Sequence, residues 1–194
     1  MKRILNFCLI FTSILFVTGC GNKFEPTESA IYVSSKGKVK SAIVESFDKA
    51  YYDFEELSEI VRKEVKSYCL DKNNEEAVVL ESLTQGEEEV SLFMNFQTVE
   101  DYAAFNEVLL FTGTYAEAVK EGYVPAELYD VEGISVLTDS EELDDLKVIV
   151  TEESVLVQTQ GKIKYVSDNV SIVDKKLARA FEAGKTHPAF VLYK

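Results

Sequence analysis

From residue 30 onward, apolar and polar positions alternate with two distinct periods, and the switches between them divide the chain into strands and helices. AIYVSSKGKVKSAIVESF alternates about a central Ser-Lys-Gly-Lys and predicts a hairpin with strands at 30–34 and 38–46. The period then changes. Leu57, Ile60, Val61, Val65 and Tyr68 recur at helical spacing, which predicts a helix from Asp53 to about Leu70. Asp53 stands where an N-cap is needed and Glu56 follows three residues later, a capping-box pattern flanked by Tyr52 and Leu57 as a hydrophobic staple. Strands at 77–84 and 89–96 enclose Gln85-Gly86 as a second hairpin. Thr98 opens a short helix to about Asn106, and Thr114 to Glu117 opens another, closed by Gly122 and Pro125.

The later half reads less regularly. Residues 124–133 predict irregular structure, Ile134–Leu137 a short strand, and SEELDDL an acidic helical turn. Three strands follow at 147–150, 154–159 and 162–170. Asp174 is then expected to cap a final helix over KKLARAFEA, stopped by Gly184, before a last strand at 189–193. Strand pairs separated by helices, with hairpin-length turns, define an α+β fold: a single domain with a mainly antiparallel sheet and several short to medium helices.

The first twenty residues follow a different logic. Met1-Lys2-Arg3 is a basic start, and Ile4 to Val17 is an almost unbroken apolar run. A membrane-spanning helix needs about 20 apolar residues, and this run is shorter, so it reads as a secretory signal peptide. Its end, Val17-Thr18-Gly19-Cys20, resembles the lipobox of bacterial lipoproteins. That resemblance implies cleavage before Cys20, a diacylglyceryl thioether on its sulfur, and attachment to the cell membrane facing the extracytoplasmic side. The expected organisation is therefore a signal peptide at 1–19, a lipidated Cys20 with a flexible tether to residue 29, and an acidic domain over 30–194. An ordinary signal peptide with a coincidental cysteine is the alternative. Beyond the lipobox, ESFDKAYYDFEEL, IKYVSDNVSIVD and the terminal FVLYK resemble an uncharacterised group of lipoproteins from anaerobic Gram-positive bacteria. The resemblance spans most of the mature chain and implies the same anchored location, with no activity attached.

Charge changes the picture next. The full chain carries 34 acidic and 20 basic side chains. Losing residues 1–19 removes Lys2 and Arg3 and no acid, which leaves 18 basic groups and a net charge of −16. Such a surface is expected to be repelled by anionic membranes and to stand off the lipid, relying on its anchor. No basic stripe is visible in the sequence, which excludes nucleic acid as a partner. An envelope protein or a small ligand remains.

Candidate chemistry is sparse. With Cys8 in the signal and Cys20 lipidated, Cys69 stands alone and is expected to be structural. The only histidine is His187, so neither a Cys-His pair nor a His-Glu-x-x-His metal motif can be read. There is no nucleophile elbow and no phosphate loop. Carboxylates come in clusters, such as Glu87-Glu88-Glu89 and Asp144-Asp145, which suit solvated surface better than the opposed pair a glycosidase needs. The acidic stretch from Asp139 to Asp145 lacks a calcium-loop spacing, and acids are favoured at a helix start by its dipole. No catalytic residue, metal ligand or cofactor is assigned. Asn169-Val-Ser171 matches a glycosylation sequon to which no role is given. Ten tyrosines against no tryptophan suggest a recognition surface, with Tyr115, Tyr123 and Tyr129 the candidate binding residues. The expectation is a non-enzymatic binding or interaction module of the envelope. A carboxylate-dependent hydrolase and a structural envelope protein are the alternatives.

Overall fold

The computed structural model describes residues 24–194. The expected signal peptide, Cys20 and the first tether residues lie outside them. Residues 24–194 form one α+β domain that is mostly sheet.

The first hairpin pairs β1 (Ala30–Val33) with β2 (Val39–Ser46) through a turn in which Gly37 takes φ +74. Helix α1 (Phe54–Asp71) follows, capped as expected by Asp53, whose carboxylate accepts from the N–H groups of Glu55 and Glu56 at 2.9 and 3.1 Å. Then come β3 (Val78–Gln85), β4 (Glu89–Phe96) and α2 (Val99–Asn106), the helix capped by Thr98. The strands β5 (Leu110–Thr114), β6 (Leu128–Asp130) and β7 (Ser135–Val136) surround α3 (Tyr115–Lys120). Thr114 and Glu117 form the capping box that opens α3. The expected acidic helical turn is a 3₁₀ turn at Glu141–Leu143. The remaining strands are β8 (Lys147–Thr151), β9 (Leu156–Gln158), β10 (Ile163–Ser167), β11 (Val170–Asp174), β12 (Leu177–Ala180) and β13 (Ala189–Tyr193).

These strands make two sheets rather than one. The first is ordered β11-β12-β9-β1-β2-β4-β3, the second β5-β8-β13-β10-β6-β7. Every pairing is antiparallel except β1 with β9. The larger core lies between the sheets and under α1 and α2: Ile31, Val33, Val39, Val157 and Ala178 of the first sheet meet Ile149, Ile163 and Val191 of the second. The alternate residues of β8 and β13, Val148, Val150, Phe190 and Leu192, face a second core closed by Tyr115, Ala118 and Leu143. Fully burying each such side chain contributes about 1.5–3 kcal/mol.

Four expectations need correction. The final helix is instead strand β12. Asp174 accepts from the Lys176 N–H at 2.6 Å, closing a tight turn rather than capping a helix, and the chain then fills the slot between β11 and β9. Ala178 and Ala180 point into the larger core, so tertiary pairing overrides good helix formers. The expected strand 162–170 is two strands, broken where the Ser167 hydroxyl donates to Asn169 Oδ1 at 2.6 Å and accepts the Phe190 N–H at 2.8 Å. Strand β5 grows out of the apolar run Val108-Leu109-Leu110-Phe111, which the periodicity assigns to no element, and β6 lies within the stretch expected to be irregular. Finally, residues 24–29 of the expected tether lie on the domain. The Phe24 ring is 6.3 Å from Tyr32, Arg179 donates two hydrogen bonds to Glu28 at 2.8 and 3.0 Å, and Ser29 Oγ bonds both backbone groups of Val44.

Candidate functional site

Helix α1 packs over β3, which is an edge strand of the first sheet. Between the second half of the helix and the strand lies an open groove of about 680 Å³. Its floor is apolar, formed by Val65, Val78 and Leu80, Arg62 and Lys66 stand over it on successive turns of the helix, and Glu75 also lines it. The sequence pattern builds this arrangement. Val61, Val65, Tyr68 and Cys69 turn to the sheet at helical spacing, which leaves Arg62, Lys66 and Leu70 one residue round, at the groove's rim. Leu70 is 69% exposed.

Beyond the helix, Asn73 takes a left-handed φ of +48 and Asn74 donates to the Gln97 side chain. That turn sets the spacing between the end of α1 and β3. Cys69 borders the same groove as a free, half-buried thiol, 3.3 Å from the Val78 carbonyl and 3.7 Å from that of Glu75. Its S–H is donated to backbone oxygens. His187 instead lies beside Asp168, 3.2 Å from its carboxylate, so the two residues do not form a catalytic pair.

The three candidate tyrosines are not gathered on one surface. Tyr115, the first residue of α3, is 1% exposed, and its hydroxyl donates to the Thr138 carbonyl at 2.8 Å. It is a packing residue, and burial lifts its pKa. Tyr123 packs against Phe111 with ring centres 5.3 Å apart, and Tyr129 is on β6 with its hydroxyl on Glu127. The exposed apolar residues of this region are others: Val124, Val131, Ile134 and Leu137. Another exposed aromatic group straddles the junction between β2 and α1, where Phe47 joins two tyrosines. Phe47 stacks on Tyr52 at 4.9 Å, and Tyr51, 79% exposed, stands edge-on to Tyr52 at 4.9 Å.

Among carboxylates, Glu153 is the unusual one. Burial raises its pKa, the nearby Glu152 adds to the shift, and the Tyr102 hydroxyl, donating at 2.7 Å, works against it. Tyr102 is itself buried and pushed well up, first by desolvation and then by Glu153. Asp101 is held by Thr98 Oγ1 at 2.9 Å and the Tyr68 hydroxyl at 3.2 Å. Neither acid lines the groove. The sequon residue Asn169 is 3% exposed and donates to the His187 carbonyl, so its amide is already engaged. Among the described residues, no group of three or more His, Cys, Asp or Glu is placed to hold a metal ion, and no helix is long and apolar enough to cross a membrane.

Compared with known proteins, the chain matches no family model, no curated protein and no solved structure.

Proposed function

We propose that this chain is an extracytoplasmic lipoprotein, held to the cell membrane by acyl chains on Cys20, and that its domain is a non-enzymatic binding module. The groove between α1 and β3 carries the binding part of this reading. It combines an apolar floor of useful size with two cations against one carboxylate, Glu75, on an otherwise strongly acidic protein. Its chemistry suits a ligand with an apolar body and an anionic end, which Arg62 and Lys66 would pair while Val65 and Leu80 take the body. The anchoring part rests on the basic start, the apolar run and the Val17-Thr18-Gly19-Cys20 order.

A carboxylate-dependent hydrolase has less support. Glu153, a carboxylate whose pKa burial raises, accepts the Tyr102 hydroxyl, and the carboxylate beside it, Glu152, is engaged by the Leu109 N–H.

The reading is tested with an anionic aromatic probe, anilinonaphthalene sulfonate, on the soluble chain from Gly21 onward. Wild type binds it with a rise in fluorescence. Leu80→Trp, which fills the groove, is expected to weaken binding by about tenfold, as is Arg62→Glu combined with Lys66→Glu, roughly 1.4 kcal/mol. Equal binding by wild type and both variants at unchanged thermal stability would overturn the groove as the binding site.

A further inference from the structure

The lysines of this chain look scattered in the sequence, but the strand registers bring many of them to one end of the first sheet. β1 and β9 run parallel, with Tyr32 beside Gln158, so both leave the sheet at the same end. The turn after β1 holds Lys36 and Lys38, and Lys40 pairs with Tyr32 across the hairpin. The segment after β9 leads to Lys162. Leu177 of β12 pairs with Gln158, which places the Lys175-Lys176 turn at this end too, and the Thr159 N–H donates to the Lys176 carbonyl at 2.8 Å. Lys194 joins them through reciprocal backbone bonds with Lys162 at 2.7 and 2.9 Å. No ion pair among the described residues holds any of these lysines. Glu100 shares a cavity with Lys36, Asp174 sits in the Lys175-Lys176 turn, Glu25 follows Phe24, and Asp71, Glu75 and Glu76 lie in the connection to β3, three strands away from β1, so lysines predominate only on the β1, β9 and β12 side of this end.

The opposite end is acidic. Glu45 closes toward the Glu87-Glu88-Glu89 turn through its pairing with Val90, and Glu152, Glu153 and Glu182 flank the far ends of β9 and β12.

The chain's path connects this polarity to the membrane. Residues 24–29 fold back over the sheet so that Phe24 reaches Tyr32, next to Lys40. Only four peptide steps separate Phe24 from Cys20, a reach of about 14 Å even when fully extended. An acylated Cys20 therefore keeps this end near the bilayer surface while Phe24 is docked, rather than letting the domain stand off on a long tether.

We infer that the basic end, Lys36, Lys38, Lys40, Lys175 and Lys176 around Phe24 and Tyr32, lies against the phosphates of an anionic phospholipid bilayer and fixes the domain's orientation, a conclusion that rests on the lipoprotein reading above. Net charge repels the membrane, but charge at the contacting end decides the interaction, because exposed charges more than about 10 Å away are screened at ordinary ionic strength. The acidic end, a strand length of about 24 Å from the lysine turn, then points away.

The test uses the protein purified from its own membrane and reconstituted into vesicles of phosphatidylglycerol or of phosphatidylcholine, with lysine acetylation read by mass spectrometry. Lys36, Lys38, Lys40, Lys175 and Lys176 are expected to react about three-fold or more slowly in phosphatidylglycerol, with Lys49 at the far end unchanged. Salt at about 0.5 M should remove the difference. The combined variant Lys38→Glu, Lys175→Glu, Lys176→Glu should lose the protection of Lys36 and Lys40. The same spectra report the mass of the Cys20 peptide. Equal reactivity in both vesicles with Cys20 acylated overturns the orientation alone, and an unacylated Cys20 overturns the lipoprotein reading and the orientation with it.

Discussion

Glu153 shows how one side chain can resemble a catalytic group and serve the fold. It follows β8, half-buried, with its carboxylate taking the hydroxyl hydrogen of Tyr102 at 2.7 Å. Folding raises its pKa chiefly by desolvation, so the folded chain binds more protons than the unfolded one over the window just above the ordinary glutamate value of about 4.3. Stability through this group therefore falls as pH rises across that window, and the penalty persists at neutral pH. Glu153→Gln keeps an acceptor for Tyr102 and removes the charge. It is expected to make the protein more stable at pH 7 and to flatten the stability–pH slope above pH ~4.3, as read from urea unfolding at several pH values. A variant less stable at pH 7 with an unchanged slope would contradict this account. Tyr115 teaches the reverse lesson. Its position in a Tyr-rich stretch suggested recognition, but the amphipathic ring is used with the body in the core and the tip on a backbone carbonyl.

At the scale of elements, local signals sufficed where cap and periodicity agreed. Asp53 with α1, Thr114 with α3 and the two hairpins stand close to where the pattern puts them. They fail at β12, where KKLARAFEA has good helix formers behind an Asp. What decides that segment is a vacant position between β9 and β11 lined for small residues, a non-local fact absent from the local sequence. The distinction has a measurable consequence. Ala178 is fully buried between two strands, so Ala178→Leu is expected to cost about 1–3 kcal/mol by overpacking, as measured by urea denaturation. On a solvent-facing helix the same change would be close to neutral. The groove between α1 and β3 was half legible. The pattern marks the apolar face of the helix, but only the pairing order shows that its neighbour is an edge strand.

For the whole molecule, a net charge of −14 is easy to count but uninformative about distribution. Lys36, Lys162, Lys175 and Lys194 are far apart in sequence and meet only because β1 and β9 run parallel and the C-terminal strand returns beside Lys162. Charge, anchor path and groove then share an axis. The α1–β3 connection leaves the sheet at the lysine end, since Val39, Phe96 and Val78 form one row across it. In the orientation we infer, a ligand entering the groove would do so near the membrane. All of this depends on the chemistry at Cys20, which the sequence alone indicates. The most direct measurement is the intact mass of the protein extracted from its own membrane. The account predicts a chain beginning at Cys20 and carrying a diacylglyceryl group, with that mass lost in Cys20→Ala. A chain that keeps residues 1–19, or begins elsewhere without lipid, would contradict it.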